Sequence, residues 1–206
     1  MARSKAGEID RSSSADKMEQ ILQGAMQEFL SNGYAATSMD RVAEAAGVSK
    51  ATVYSHFQDK ERLFKALIEK LARKRFHSIL GTQPLKGEPY IVLRRLAATA
   101  LDQMVNDREY QSFERLLMGE SARFPELAQV FIYSIAKPAI ETISKYLASC
   151  PELKIPDPEA TARILIGSLV HFVITQEIMH GKEIMPMESD RLIDALTYLI
   201  VNCAVE

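Results

Sequence analysis

The segment TSMDRVAEAAGVSKATVYSHF, from Thr37 to Phe57, decides the fold. Its apolar residues recur at helical spacing on both sides of Gly47, which predicts two short helices joined by a tight turn. Thr37 or Ser38 can cap the first helix, and Ser49 can cap the second. The second helix has its apolar residues four positions apart and leaves short polar side chains on its outer face. A helix that enters the major groove of DNA needs such a face, so the segment predicts a helix-turn-helix.

The same residues resemble the DNA-binding domain of the TetR family of bacterial transcriptional regulators. The shared pattern is Thr-Ser-x-x-x-Val-Ala-x-x-Ala-Gly-Val-Ser-x-x-Thr-Val-Tyr-x-His-Phe-x-x-Lys-Glu-x-Leu-Phe, which runs from Thr37 to Phe64. A bare helix-turn-helix pattern is unspecific, but the continuation from Tyr54 to Glu61 adds residues that the generic motif does not require. A shorter stretch, Glu120 to Leu127, is similar to the effector domains of AefR-like members.

Carried over residue by residue, the resemblance implies a surface for double-stranded operator DNA. The matched positions are Thr37, Ser38, Ser49, Lys50, Ala51, Thr52, Tyr54, Ser55, His56 and Lys60. Phosphate contacts are expected from Thr37 or Ser38 and from Tyr54, His56 and Lys60. Lys50 can donate to guanine, while Ala51 and the Thr52 methyl can meet a thymine methyl. Val53 and Phe57 are expected to point into the domain.

The rest of the chain is predicted to be helical, which makes the fold all-α. Residues 1–14 are predicted to form a disordered polar arm. Residues 15–80 are predicted to form a three-helix helix-turn-helix domain with a long connecting helix, its first helix ending at Gly33. Residues 81–206 are predicted to form a helical domain for effector binding and dimerisation. Pro138 should kink or divide a helix there, because it has no amide hydrogen.

Charge is distributed unevenly along the chain. Residues 1–81 hold thirteen Lys or Arg against ten Asp or Glu, while the remainder holds twelve against seventeen. The half with the motif therefore carries the positive potential that attracts DNA, although the whole chain has a net charge of −2. The N-terminus lacks a signal-peptide pattern, and the longest apolar run, residues 164–174, is too short to span a bilayer. We expect a cytoplasmic protein with no membrane partner.

The last two helices are predicted to pair two subunits. The helix through Ile164 to Ile174 is apolar nearly all round, and the final helix, from about Ser189, repeats apolar residues at spacings of three and four. These helices can meet the same two helices of a second subunit about a two-fold axis, which gives a homodimer. The alternative is that both belong to the core of one subunit.

Catalysis has little support in the sequence. The four histidines show no HxxxH or HExxH spacing, no carboxylate pair or Cys-His pair stands out, and the nine glycines are scattered singly. We therefore predict no catalytic residue, no metal and no cofactor, and we expect that the protein is not an enzyme. An enzyme is kept only as a remote alternative.

A small-molecule pocket is expected in the middle of the second domain. Its candidate residues are large and mostly aromatic or flexible: Met104, Phe113, Leu116, Leu117, Phe131, Tyr133 and Phe172. Ordinary core packing also explains each of them singly, but together they suit an apolar or aromatic ligand. The sequence thus favours a dimeric repressor that an unknown small-molecule effector releases from its operator. The alternative is an effector-independent DNA-binding protein whose second domain only dimerises.

Overall fold

The structure is a computed structural model that describes the backbone of residues 3–81 and 85–202 and the side chains of residues 14–81 and 85–202. It is all-α, as predicted: no strand occurs in those ranges. The helices are α1 (Arg3–Ala36), α2 (Met39–Ala45), α3 (Lys50–His56), α4 (Lys60–Leu80), α5 (Pro89–Asn106), α6 (Arg108–Glu120), α7 (Pro125–Phe131), α8 (Lys137–Ala148), α9 (Pro158–Val173) and α10 (Ser189–Asn202). Within the described part of the chain, no helix is long and apolar enough to cross a membrane.

The chain divides into two compact units. Unit 1 consists of the residues up to Leu71 together with Leu116–Phe131, and unit 2 consists of Ala72–Arg115 and the residues from Ile132 onward. The boundary that the sequence predicts, at residues 80 and 81, therefore differs from this division. The spacing of apolar residues shows where a helix lies but not which core it joins. For that reason, the assignment of Leu116–Phe131 to unit 1 was not predictable from periodicity.

Unit 1 is built around α1. This helix is described from Arg3, so it includes part of the arm that the sequence predicts as disordered; the order of that arm in solution stays a prediction. Gly33 interrupts the helix with φ 76° and ψ 165°, a conformation that only glycine adopts readily, as the sequence indicates. At Gly24, α1 meets the end of α2 so closely that an added Cβ would lie 2.7 Å from the backbone nitrogen of Ala46.

Unit 2 has one main hydrophobic core, formed by α5, α8, α9 and α10. Leu93, Leu101, Leu147 and Leu165 are fully buried in it, and each such side chain stabilises the fold by about 1.5–3 kcal/mol relative to exposure. Close to Pro138, where a kink or a division is expected, the helix changes its hydrogen-bonding pattern. A π-helical turn over residues 132–136 separates α7 from α8, and Pro138 lies in the first turn of α8, where no amide hydrogen is needed.

Candidate nucleic-acid interface

Local capping fixes the turn between α2 and α3. Ser38 precedes α2, and its Oγ accepts a hydrogen bond from the amide of Arg41 at 3.3 Å. Gly47 follows the end of α2 with φ 64°, the left-handed conformation that the sequence predicts there. Ser49 precedes α3, and its Oγ accepts from the amide of Thr52 at 3.1 Å. The structure thus confirms the helix-turn-helix, with Ser38 rather than Thr37 as the first cap.

The two faces of α3 differ as predicted. Val53 is fully buried and Phe57 is 7 % exposed, so both point into unit 1. The opposite face carries Lys50, Ala51, Tyr54 and Ser55, which are exposed, and Thr52 and His56, which are half-buried. The ring of Tyr54 is half-exposed, and its expected phosphate contact and the expected base contacts of α3 stay predictions.

Lys50 is tied to the preceding helix. Its Nζ donates to Oδ2 of Asp40 at 2.5 Å, across the turn, and both side chains are mostly exposed. The hydrogen bond and the charge of Asp40 raise the pKa of Lys50, which therefore stays charged near neutral pH. An exposed ion pair contributes little free energy, so Lys50 can exchange Asp40 for another acceptor, and the guanine contact expected of Lys50 stays a prediction.

The hydroxyl of Thr37 has partners inside unit 1. The residue is 3 % exposed, and its Oγ1 lies 2.8 Å from the carbonyl oxygen of Gly33 and 3.2 Å from that of Glu28. Of the two residues predicted to contact phosphate at the first cap, Ser38 is the one that lies exposed. Thr37 instead holds the end of α1 to the start of α2.

Lys60 has a role that the sequence reasoning missed. Its Nζ donates to the carbonyl oxygens of Tyr34 at 2.7 Å, Ala35 at 3.2 Å and Thr37 at 2.9 Å. An ammonium group has three donors, so the whole group is used at the end of α1, where carbonyls have no partner within the helix. Burial lowers the pKa of Lys60. The phosphate contact expected of Lys60 stays a prediction, and it competes with these three bonds.

An aromatic cluster surrounds Tyr34. Its ring lies 5.6 Å from that of Phe29, 5.2 Å from that of Phe64 and 4.9 Å from that of Phe124, and the ammonium of Lys60 lies 4.5 Å from its centre. Burial, with smaller contributions from Glu61, Glu126 and Asp59, raises the pKa of Tyr34 to about 12. The sequence gives no signal that Phe124, ninety positions away, packs on Tyr34.

The residues predicted for the ligand pocket lie in different surroundings. Phe113, Met104, Leu117 and Phe172 are buried, Leu116 and Phe131 are half-buried, and Tyr133 is 69 % exposed. Met104 and Phe172 share the hydrophobic core of unit 2, whereas Leu116, Leu117 and Phe131 belong to unit 1. Unit 2 also has a surface groove of about 780 Å³ beside α9, which Phe172 lines together with Ile164, Gly167 and His171.

The described residues give no sign of a metal centre. Nowhere in residues 14–81 and 85–202 do three or more His, Cys, Asp or Glu side chains lie together as a metal ion would require. Cys150 is a buried free thiol in the core of unit 2.

Comparisons with known proteins agree with this architecture. Residues 21–67 match the model for bacterial regulatory proteins of the tetR family, and residues 91–202 match the C-terminal domain of AefR-like transcriptional repressors. The uncharacterized HTH-type transcriptional regulator YhgD of Bacillus subtilis (strain 168) is 25% identical over 200 residues, which are 92% of this chain and 97% of YhgD.

Two solved structures are similar over nearly the whole chain. The flavonoid-responsive regulator FrrA is 28% identical with a TM-score of 0.76, over 91% of this chain and 96% of FrrA. A TetR family regulator from Pseudomonas syringae pv. tomato str. DC3000 is 28% identical with a TM-score of 0.67, over the same shares of the two chains. The chain therefore belongs to the TetR family of DNA-binding transcriptional regulators, with a C-terminal domain of the AefR-like type.

Proposed function

We propose that this regulator is a homodimeric repressor that a small apolar or aromatic molecule releases from its operator. The proposal rests mainly on α3. This helix buries Val53 and Phe57 and exposes a polar face to solvent, and side-chain caps fix the starts of both α2 and α3. Such a helix reads bases in a major groove, and a two-fold pair of them reads an inverted repeat. The protein would act in the cytoplasm, where bacterial DNA is found.

Exposed apolar side chains on α9 and α10 support the dimer. Ile164 on α9 is 60 % exposed, and Tyr198 and Leu199 on α10 are 63 % and 54 % exposed. Ile164 of α9 and Leu192 of α10 line one groove, and an apolar groove at the surface is a candidate interaction site. A second copy of the chain is the occupant that we propose for this groove.

Two observations support a small-molecule effector. FrrA, which is described as flavonoid-responsive, shares the fold over nearly the whole chain. In unit 2, Met104 and Phe172 lie in one core, where a flexible methionine can move to admit a ligand. Of the residues predicted from the sequence, Met104 and Phe172, which share that core, would contribute to the pocket.

Selection of bound DNA tests the DNA and dimer parts of the proposal. Genomic fragments of the source organism that the protein retains should share an inverted repeat whose half-sites lie about one or two helical turns apart. The complex should hold two chains for each half-site pair, as measured by sedimentation. Fragments without a common repeat, or a single chain bound to each site, would contradict the proposal.

The ligand part needs a separate experiment. A panel of flavonoids and other aromatic metabolites is added to the protein on its selected operator, and both melting temperature and DNA release are measured. A molecule that binds only the folded state raises the melting temperature, and the proposed effector must also release DNA. If no compound does both while operator binding is intact, the effector-independent alternative is the better account.

A further inference from the structure

The turn between α6 and α7 packs on the part of unit 1 that leads into the helix-turn-helix. Phe124 lies in this turn, with its ring 4.9 Å from that of Tyr34 at an interplanar angle of 67°. Glu120, at the end of α6, comes so close to Gly33 that a Cβ there would lie 3.2 Å from Oε1. Segment 116–131 therefore contacts α1 where the helix is interrupted.

Tyr34, which Phe124 contacts, belongs to a segment that we call the link, residues 33–38, which runs from the interruption of α1 at Gly33 to the start of α2. Lys60 binds three carbonyls of this link, and its ammonium lies against the ring of Tyr34. Thr37 binds the carbonyl of Gly33 through its hydroxyl. Lys60 thus holds the link through its carbonyls, and the ring of Tyr34 contacts both the Lys60 ammonium and Phe124.

The link determines where the recognition helix α3 lies. Ser38 is both the last residue of the link and the cap of α2, and α2 is joined to α3 through the short turn at Gly47. Because these connections leave few free dihedral angles, a displacement of the link moves α2 and α3 together. A shift of about 1 Å is enough to misalign hydrogen bonds to base edges.

Segment 116–131 continues at both ends into unit 2, at Arg115 and at Ile132. Immediately after the second end comes the π-helical turn of residues 132–136. Such turns are less stable than regular α-helix and often lie at functional sites, because a change to α-helix rotates the neighbouring residues. The segment is therefore connected, through the chain itself, to a π-helical turn of unit 2, a feature that is frequent at functional sites.

We propose that Phe124 is a positioning residue for the recognition helix: its contact with Tyr34 holds the link in the arrangement that binds the operator. A rearrangement in unit 2 that withdraws segment 116–131 removes this contact and lowers operator affinity. The identity of the signal rests on the proposed ligand response, but the contact and its effect on DNA binding do not. The segment, and not only α4, then transmits the rearrangement of unit 2 to the helix-turn-helix.

Phe124→Ala tests this role, with Met118→Ala as the matched control, because Met118 lies in the same segment but is 47 % exposed. Hydrogen exchange and operator affinity are measured on the full-length protein without ligand. For Phe124→Ala we expect exchange in residues 33–45 to rise about ten-fold and operator affinity to fall about ten-fold, the size of a lost aromatic pair with its buried area. Exchange in α8 and α9 should be unchanged, and Met118→Ala should behave as wild type.

Several results would overturn the proposal. Unchanged hydrogen exchange in the link, or unchanged operator affinity, would show that Phe124 packs there without positioning the recognition helix. A uniform rise across all of unit 1 would show a general loss of stability, and an equal effect of Met118→Ala would remove the special role of Phe124. If Phe124→Ala does not fold, Phe124→Leu keeps most of the apolar volume without the ring and is judged by the same measurements. Failure of every ligand in the panel would leave these outcomes intact and would count only against the ligand response.

Discussion

Units 1 and 2 differ in how completely each one buries its own apolar surface. In unit 1 the rings of Phe29, Tyr34, Phe64 and Phe124 cover one another, and the exposed face of α3 is mainly polar. In unit 2 large apolar side chains remain exposed, including Ile164, Met179, Ile184, Tyr198 and Leu199. The comparison favours the proposal that another molecule covers the exposed apolar side chains of unit 2, whereas the aromatic residues of unit 1 pack on one another.

Breaking that second surface should have the largest effect. Leu199→Glu places a charge on the exposed face of α10, and we expect the protein to sediment as a monomer. Operator affinity should fall at least about a hundred-fold, because two linked half-site contacts become independent. Ile91→Glu is the control, since Ile91 is 63 % exposed but lies on α5. A dimer that survives Leu199→Glu would place the interface elsewhere.

The core of unit 1 should be sensitive at the crossing of α1 and α2. Gly24→Ala puts a methyl group 2.7 Å from the backbone nitrogen of Ala46, so the helices must separate. We expect a loss of about 1–3 kcal/mol in the free energy of unfolding of unit 1, seen by denaturant titration and by faster hydrogen exchange in α2. Gly119→Ala, which meets nothing within 4 Å, should leave stability unchanged or slightly higher. Equal effects of the two substitutions would contradict close packing at Gly24.

Removal of the Lys60 clamp should have a smaller effect. Lys60→Ala leaves three carbonyls at the end of α1 without their shared donor, and we expect unit 1 to lose about 2 kcal/mol of stability. Binding to operator and to random DNA should weaken alike. Lys65→Ala, an exposed position on the same helix, serves as the control. Weaker DNA binding with unchanged stability would instead assign Lys60 to phosphate contact.

The smallest expected effect concerns Tyr34 at high pH. Its pKa is raised from 10.0 to about 12 in the folded protein, so the unfolded chain loses the phenol proton first and stability falls as the pH rises above about 10. Tyr34→Phe removes this dependence. Between about pH 8 and about pH 10.5, we expect wild type to lose less than about 1 kcal/mol of unfolding free energy relative to Tyr34→Phe. A shift of opposite sign would contradict the burial of this phenol.

The parts of the fold that the sequence predicts correctly are those set by local chemistry. Gly47 adopts the left-handed conformation that the turn requires, and Ser49 caps the helix that follows it. Pro138 has no amide hydrogen to donate within a regular helix. Each of these effects depends on residues only a few positions away. The turn between α2 and α3, the change of helix type near Pro138 and the buried face of α3 therefore follow from local residues.

The parts that the sequence does not predict depend on residues far apart in the chain. The contact of Phe124 with Tyr34 and the use of Lys60 by the end of α1 arise only when distant helices meet. Neither has a local pattern, because an aromatic residue in a turn and a lysine at a helix start occur in many settings. The predicted pocket residues likewise remain a proposal, since large apolar side chains look alike in a core and in a cavity wall.

The central claim is that the exposed face of α3 reads base sequence, and Lys50→Ala tests it most directly. Equilibrium dissociation constants are measured for wild type and variant on the selected operator and on random DNA at one salt concentration. We expect the variant to lose about 1–3 kcal/mol of binding free energy on the operator and far less on random DNA, because a base contact contributes only at its own sequence. Equal losses on both DNAs would contradict the assignment of base reading to α3.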